Sequence, residues 1–148
     1  MNYRIRAALT DDSPQLAVLI GELGYLSTKG FIQEKLAQLS AIPGTKIFVA
    51  DYDGKVIGLL SFSILPLLHL DEGLGRITAL VVASQFKGRG IGKSLVVKAE
   101  AFAWNNRCGR IEITSGEHRA DAHAFYEAIG YKQDSRRFVK TKPVGTSE

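Results

Sequence analysis

The sequence predicts an α/β domain (α+β in some schemes), a sheet with helices packed on it. Three observations lead there. Strand-like apolar runs take turns with segments whose apolar residues recur every three or four positions. The turn Asp51-Tyr52-Asp53-Gly54-Lys55 joins two such runs as a hairpin. Further on, a strand-like run passes into a helix through the glycine-rich segment 85–92. At 148 residues the chain suits one domain, with a core expected over about residues 3–141 and a short loose tail from Pro143 to Glu148.

Taken in order, Tyr3 to Leu9 alternates as a first strand, and Thr10-Asp11-Asp12-Ser13-Pro14 supplies helix-start chemistry. Leu16, Leu19, Ile20 and Leu23 place a helix over about 13–23, which Gly24-Tyr25-Leu26-Ser27-Thr28 interrupts. A second helix carries Ile32, Leu36 and Leu39 and stops before Pro43-Gly44. Lys46–Ala50 and Val56–Ile64 form the hairpin, and Ile77–Ala83 is a central strand. The longest helix shows Leu95, Ala99 and Phe102 on one face, with Val96 and Ala103 beside them. Arg110–Thr114 reads as a strand, Arg119–Ile129 as a helix ended by Gly130, and Arg136–Lys140 as an edge strand.

Composition narrows the function classes. Hydrophobic residues at 45% and charged residues at 23% are ordinary for a folded domain. One cysteine, Cys108, excludes an intrachain disulfide framework and a multi-cysteine zinc site, and His69, His118 and His123 show no metal-ligand spacing, so no metal is expected. The longest apolar run, Ile64–Leu68, is far short of the roughly 20 residues a membrane helix needs, and the start lacks a signal-peptide pattern. A cytoplasmic enzyme or binding domain is therefore expected, without a membrane partner. Residues 1–75 hold 6 basic and 8 acidic groups, net −2, and residues 76–148 hold 13 and 7, net +6. A phosphate-bearing ligand held by the second half explains that asymmetry. Nucleic acid ranks well below it, because no groove-reading helix or aromatic-rich binding sheet is evident.

The segment Gln85-Phe86-Lys87-Gly88-Arg89-Gly90-Ile91-Gly92-Lys93 between strand and helix has a physical use. Glycines at 88, 90 and 92 let the backbone approach a ligand, and the unpaired N–H groups of a first helical turn cradle an anion. Lys87, Arg89 and Lys93 add positive charge. Three alternating glycines alone also suit a plain surface turn. Gly92-Lys93-Ser94 imitates the end of a P-loop, but Lys87 stands where that motif needs its first glycine. The dinucleotide fingerprint fails as well, since the spacing is Gly88-x-Gly90-x-Gly92.

Gln85, Gly88 and Gly90 meet, position by position, the acyl-CoA signature Gln/Arg-x-x-Gly-x-Gly/Ala, and in this the chain resembles the GNAT family of N-acetyltransferases. The Leu23-Gly24-Tyr25 turn, the hairpin and Ala124-Phe125-Tyr126-Glu127-Ala128-Ile129-Gly130-Tyr131 fall at family-like positions, so the likeness covers about residues 3–141. Within the family it is similar to small-molecule enzymes of the aminoalkylphosphonate or aminoglycoside acetyltransferase sort.

The resemblance implies a single acetyltransferase domain with a central mixed sheet. Its fourth strand (77–83) and fifth strand (110–114) splay to admit the pantetheine arm of acetyl-CoA. Backbone groups of Leu80, Val81 and Val82 would align that arm, with Gln85 to Lys93, Ile91 included, around the pyrophosphate. It also implies direct attack of an amine on the thioester, with Tyr126 at the general-acid position. A tyrosine holds its proton at neutral pH and can give it to a departing thiolate. Tyr126 also suits plain packing beside Phe125 and Ile129.

Relatives often carry an acid on or near the fourth strand. Here Gly75-Arg76-Ile77-Thr78-Ala79 has none, which leaves Glu72 as the candidate base, with Asp71 beside it and His69 nearby. An exposed turn accounts for both acids without catalysis. Tyr25, Asp71 and Arg76 are the candidate acceptor-binding residues. Asp71 and Glu72 suit a cationic amine and Arg76 an anionic group on the same molecule. The expected partner is thus a small-molecule primary amine. Protein or peptide acetylation and a noncatalytic acyl-CoA sensor are the alternatives. Small members of the family are often homodimers, for which Tyr131–Lys142 offers an edge.

Overall fold

Antiparallel pairing organises the first part of the chain in the computed structural model, which describes residues 1–113, 120–134 and 137–145. The chain separates into two units, Met1–Gly116 and Glu117–Glu148, each described by itself. In the first unit the order is β1 (Arg4–Ala7), α1 (Ser13–Glu22), α2 (Lys29–Ser40), β2 (Thr45–Tyr52), β3 (Lys55–Leu65), β4 (Gly73–Val82), α3 (Ile91–Asn105) and β5 (Cys108–Ile113). The sheet runs β1-β2-β3-β4-β5. Its first three pairings are antiparallel and β4–β5 is parallel, giving the expected mixed sheet.

Local chemistry sets the corners. Arg6 on β1 grips both oxygens of Asp12 at 2.8 and 2.9 Å and reaches Asp51 of β2 at 2.9 Å. Asp12 also accepts from the Leu9 N–H at 2.7 Å, so one buried carboxylate fixes the turn into α1. α1 ends in a Schellman motif: Gly24 has φ +100°, its N–H reaches the Gly21 carbonyl, and the Tyr25 N–H reaches Ile20. Thr28 caps α2 through the Phe31 N–H at 3.1 Å. The β2–β3 turn puts Asp53 and Gly54 at positive φ, with the Asp51 carboxylate accepting the Gly54 N–H.

The two faces of the sheet carry different cores. Leu16, Leu19, Ile32 and Leu36 of α1 and α2 cover Val49, Val56, Leu59 and Val81. On the other face Phe48 and Phe62 meet Phe102 of α3 edge-on, at 6.4 and 5.8 Å. Gly58 lies beneath Leu95 and Ile91, where a Cβ would crowd both. Gly75 is a tighter case, since a Cβ there would fall 2.7 Å from Phe62 Cζ, and Phe62 is completely buried.

Two departures from the sequence reading concern strands. β4 begins at Gly73, four residues before the expected Ile77, because pairing with β3 carries it through Leu74, Gly75 and Arg76. It also holds a bulge: Ser61 faces Ala79 while Phe62 faces Ile77, so Thr78 is the extra residue. The expected edge strand Arg136–Lys140 is the second departure. Residues 137–140 take no strand conformation, Phe138 is fully exposed, and no strand pairs with them among the described residues; Arg136 lies outside those residues.

In the second unit α4 (Ala120–Ala128) ends at Gly130, φ +100°, again with a Schellman pattern: Gly130 N–H to Glu127 and Tyr131 N–H to Tyr126. Thr114, His118 and Arg119 lie outside the described residues. No described helix is long and apolar enough to cross a membrane.

Candidate active site

The glycine segment leaves β4 through a short 3-10 turn, Ser84–Phe86, and enters α3 at Ile91. Gly88 and Gly90 both sit at left-handed φ, +78° and +82°, with open space where a side chain would project. Gly90 is the N-cap residue and offers no side chain to the first-turn N–H groups, which are thus left for an external acceptor. Lys87, Arg89 and Lys93 are exposed around it, as is Gln85. The Ile91 side chain is buried against β3, so that residue can serve a ligand only through its backbone. Gly92 lies within the first turn of α3.

Three anchors hold this segment, and spacing in the sequence points to none of them. The Glu22 carboxylate at the end of α1 accepts from the Ser84 N–H at 3.3 Å and from its hydroxyl. Phe86 lies edge-on to Tyr52 at 5.8 Å, with Lys55 and Arg89 over its ring at 5.5 and 5.4 Å. The Tyr3 hydroxyl pairs with Ser94 Oγ at 2.7 Å, and Ser94 in turn donates to the Gly90 carbonyl.

Leu80, Val81 and Val82 lead into the segment along one edge of β4. Among the described residues, pairing with β5 runs from Gly73↔Cys108 to Ile77↔Ile113 and no further. The Ala83 N–H donates to Ile57 of β3 at 2.8 Å. Backbone groups alternate in direction along a strand, so those of Val82 and Leu80 face the other way, toward the β5 side, where the described pairing has already ended at Ile77↔Ile113. Amides of an extended ligand arm can be met there.

The acceptor candidates are spread more widely. Tyr25 is exposed in the α1–α2 loop and does not pack between the helices. Arg76 lies opposite Glu112 of β5 and donates to it at 3.2 Å, and Arg110 approaches the other oxygen of Glu112 at 3.4 Å. Asp71 pairs with Arg107 at 3.3 Å on the surface. Glu72 rests against Gly109, where its side chain fills the space a Cβ would need. At about 3.3 Å per residue, Glu72 is roughly 26 Å along the strand from Leu80. The structure therefore groups Leu80–Lys93 at one end of β4 and sets Asp71 and Glu72 at the other. Tyr126 is carried by α4 of the second unit, half-buried, its ring 5.5 Å from that of Phe125. No cluster of metal-ligating side chains occurs among the described residues.

A mixed five-stranded sheet with helices packed on both faces, and an α3 that opens at Gly90 after the fourth strand, defines an α/β protein. The sequence matches the Acetyltransferase (GNAT) family over residues 15–131, and the chain belongs to that family of N-acetyltransferases. It is 33% identical over 138 residues to an aminoalkylphosphonate N-acetyltransferase of Salmonella typhimurium, covering 92% of this chain and 89% of that protein. It is 28% identical over 90 residues to human N-acetylaspartate synthetase, covering 61% of this chain but only 28% of that one. A solved structure from Agrobacterium tumefaciens str. C58, described as an acetyltransferase, superposes with a TM-score of 0.86 at 29% identity, over 94% of this chain and 99% of that chain.

Proposed function

We propose that the chain acts as one domain that transfers acetyl from acetyl-CoA to a primary amine of a small molecule. The observation that carries this reading is the run from the outward-facing backbone of Leu80 and Val82 to the open N-terminus of α3. The first stretch suits the amides of a pantetheine arm, and the second suits a pyrophosphate, with Lys87, Arg89 and Lys93 as counter-charges. Relatives named for an aminoalkylphosphonate and for N-acetylaspartate support a small amine over a protein substrate.

The amine nitrogen attacks the thioester carbonyl carbon, the C–S bond breaks, and the departing sulfur takes a proton that Tyr126 is suited to give. The amine's surplus proton leaves to water, since Glu72 stands at the far end of β4. Direct transfer also fits Cys108, which is buried and whose thiol is pushed up by that burial, a poor acyl carrier at neutral pH. The reading includes a homodimer in the cytoplasm, and sedimentation equilibrium reads its assembly state.

Calorimetric titration with acetyl-CoA tests the site. Wild-type protein should bind, and Gly90→Asp should weaken binding by about tenfold or more, because it puts a negative side chain at a left-handed N-cap facing the pyrophosphate. Equal affinities in two folded proteins would overturn the placement. An acetylation screen over free amines, aminoglycosides and peptides tests the acceptor, and activity confined to peptides would defeat the small-amine reading.

A further inference from the structure

One row of side chains crosses the sheet at its polar end. Thr45 of β2 faces Ser63 of β3, Ser63 faces Arg76 of β4, and Arg76 faces Glu112 of β5. Contacts confirm that the row shares a face, with Thr45 Oγ1 3.3 Å from Ser63 Oγ and Arg76 bonded to Glu112. That face is opposite the one on which Phe62 packs against α3, because Ser63 and Phe62 are consecutive on β3. Elsewhere α1 and α2 cover the same face with an apolar core, so a polar row here needs a reason.

Arg76 supplies one. Its Nε is buried without a hydrogen-bond partner, while the side chain as a whole is 39% exposed, so a ligand can reach the exposed part of the guanidinium but not Nε itself. A partly exposed ion pair contributes little to stability, so the bond to Glu112 does not account for leaving a guanidinium donor unmet, which is unfavourable in any buried setting. Arg76 also stands one residue before Ile77↔Ile113, the last β4–β5 pair among the described residues, on the side of β4 toward which Leu80 and Val82 turn their backbone groups. Four residues of strand separate it from Leu80, roughly 13 Å at about 3.3 Å per residue, before the bulge at Thr78 shortens the path.

We infer that Arg76 is a specificity-determining residue that holds a carboxylate or phosphonate on the amine acceptor, with Glu112 fixing its orientation. The inference rests on the acetyltransferase reading above and names the acceptor's chemical class: a primary amine carrying one acidic group a few bonds from its nitrogen. Guanidinium recognises such groups by paired N–H donors, which a lysine cannot reproduce. The acid end then sits over the polar row and the amine points along β4 toward the thioester.

Steady-state acetylation of 3-aminopropylphosphonate, β-alanine and propylamine by wild-type, Arg76→Gln and Arg76→Lys proteins tests this, with acetyl-CoA affinity and thermal unfolding measured in parallel. Wild-type protein should favour at least one acid-bearing amine over propylamine by about tenfold or more in kcat/KM. Arg76→Gln should erase most of that ratio through KM, and Arg76→Lys should keep part of it, while acetyl-CoA affinity stays within about twofold in both. The two acidic probes separate phosphonate from carboxylate as the preferred group. A wild-type protein that acetylates all three amines equally, or an Arg76→Lys protein with the full wild-type ratio, would overturn the role of Arg76 and leave the acetyltransferase reading intact. Failure of wild-type protein to bind acetyl-CoA would instead defeat that underlying reading.

Discussion

Two aromatic neighbours show how one hydroxyl can be tested apart from packing. Tyr126 and Phe125 meet edge-on on α4, so a phenyl ring at position 126 preserves the shape and most of the contact. Tyr126→Phe should lower single-turnover acetyl transfer by roughly 10²–10⁴-fold, the usual contribution of a general acid. Acetyl-CoA affinity should be unchanged, and rapid chemical quench separates the two quantities. Unaltered transfer in a stable variant would remove Tyr126 from the chemistry. Part of this scale was legible in the sequence: of the glycines at 88, 90 and 92 expected where side chains must be absent, Gly88 and Gly90 take the left-handed φ that glycine permits, and Gly92 does not. The length of β4 was not legible: a start at Ile77 leaves Glu72 in a loop, whereas the strand begins at Gly73 and Glu72 directly precedes it.

At the scale of elements, Glu22 of α1 holds the entry to the glycine segment through Ser84. The carboxylate sits at the C-terminal end of α1, where the helix dipole disfavours negative charge, so the bond to Ser84 has to offset that. Glu22→Ala should weaken acetyl-CoA binding by a few-fold by loosening the entry to α3, and Glu22→Gln, which keeps an acceptor oxygen, should recover most of it. Titration calorimetry reads both, and an Ala variant with wild-type affinity would show the clasp to be incidental. Partners 62 positions apart leave no periodic trace, and the same is true of Tyr3 with Ser94. By contrast the helices were readable, since Leu16, Leu19, Ile32 and Leu36 are buried as their spacing requires. β4 was only half readable. Gly73, Gly75 and Arg76 have weak strand propensity, and it is pairing with neighbours on both sides that makes them a strand.

For the whole molecule, acid stability should centre on Arg6, Asp12 and Asp51. Burial pushes the Asp12 carboxyl up, but hydrogen bonds from Arg6 and the Leu9 N–H overcome it and hold it below the usual range. Arg6 and the Gly54 N–H do the same for Asp51. A depressed folded-state value means the stabilisation is complete above the unfolded carboxylate pKa, near 4, and is lost as pH falls through the lower folded value. Asp12→Asn should therefore destabilise by about 1.5–3 kcal/mol at neutral pH, because Arg6 loses a charged partner at a largely buried site while keeping Asp51. Urea melts from pH 7 to pH 2 should show the gap to wild type constant down to about pH 5 and narrowing below pH 4. A gap independent of pH would assign the loss to packing instead. The Thr78 bulge governs the same sheet in another way. It works as a parity bit: upstream of it Arg76 shares its face with Ser63, and downstream Val81 shares that face with Leu59, although their positions differ by an odd number. Deleting that one residue would leave β4 chemically almost the same and invert what each half displays. Either the arginine would turn toward Phe102 or the valine would leave the core beneath α1, so this strand tolerates substitutions far more readily than changes of length.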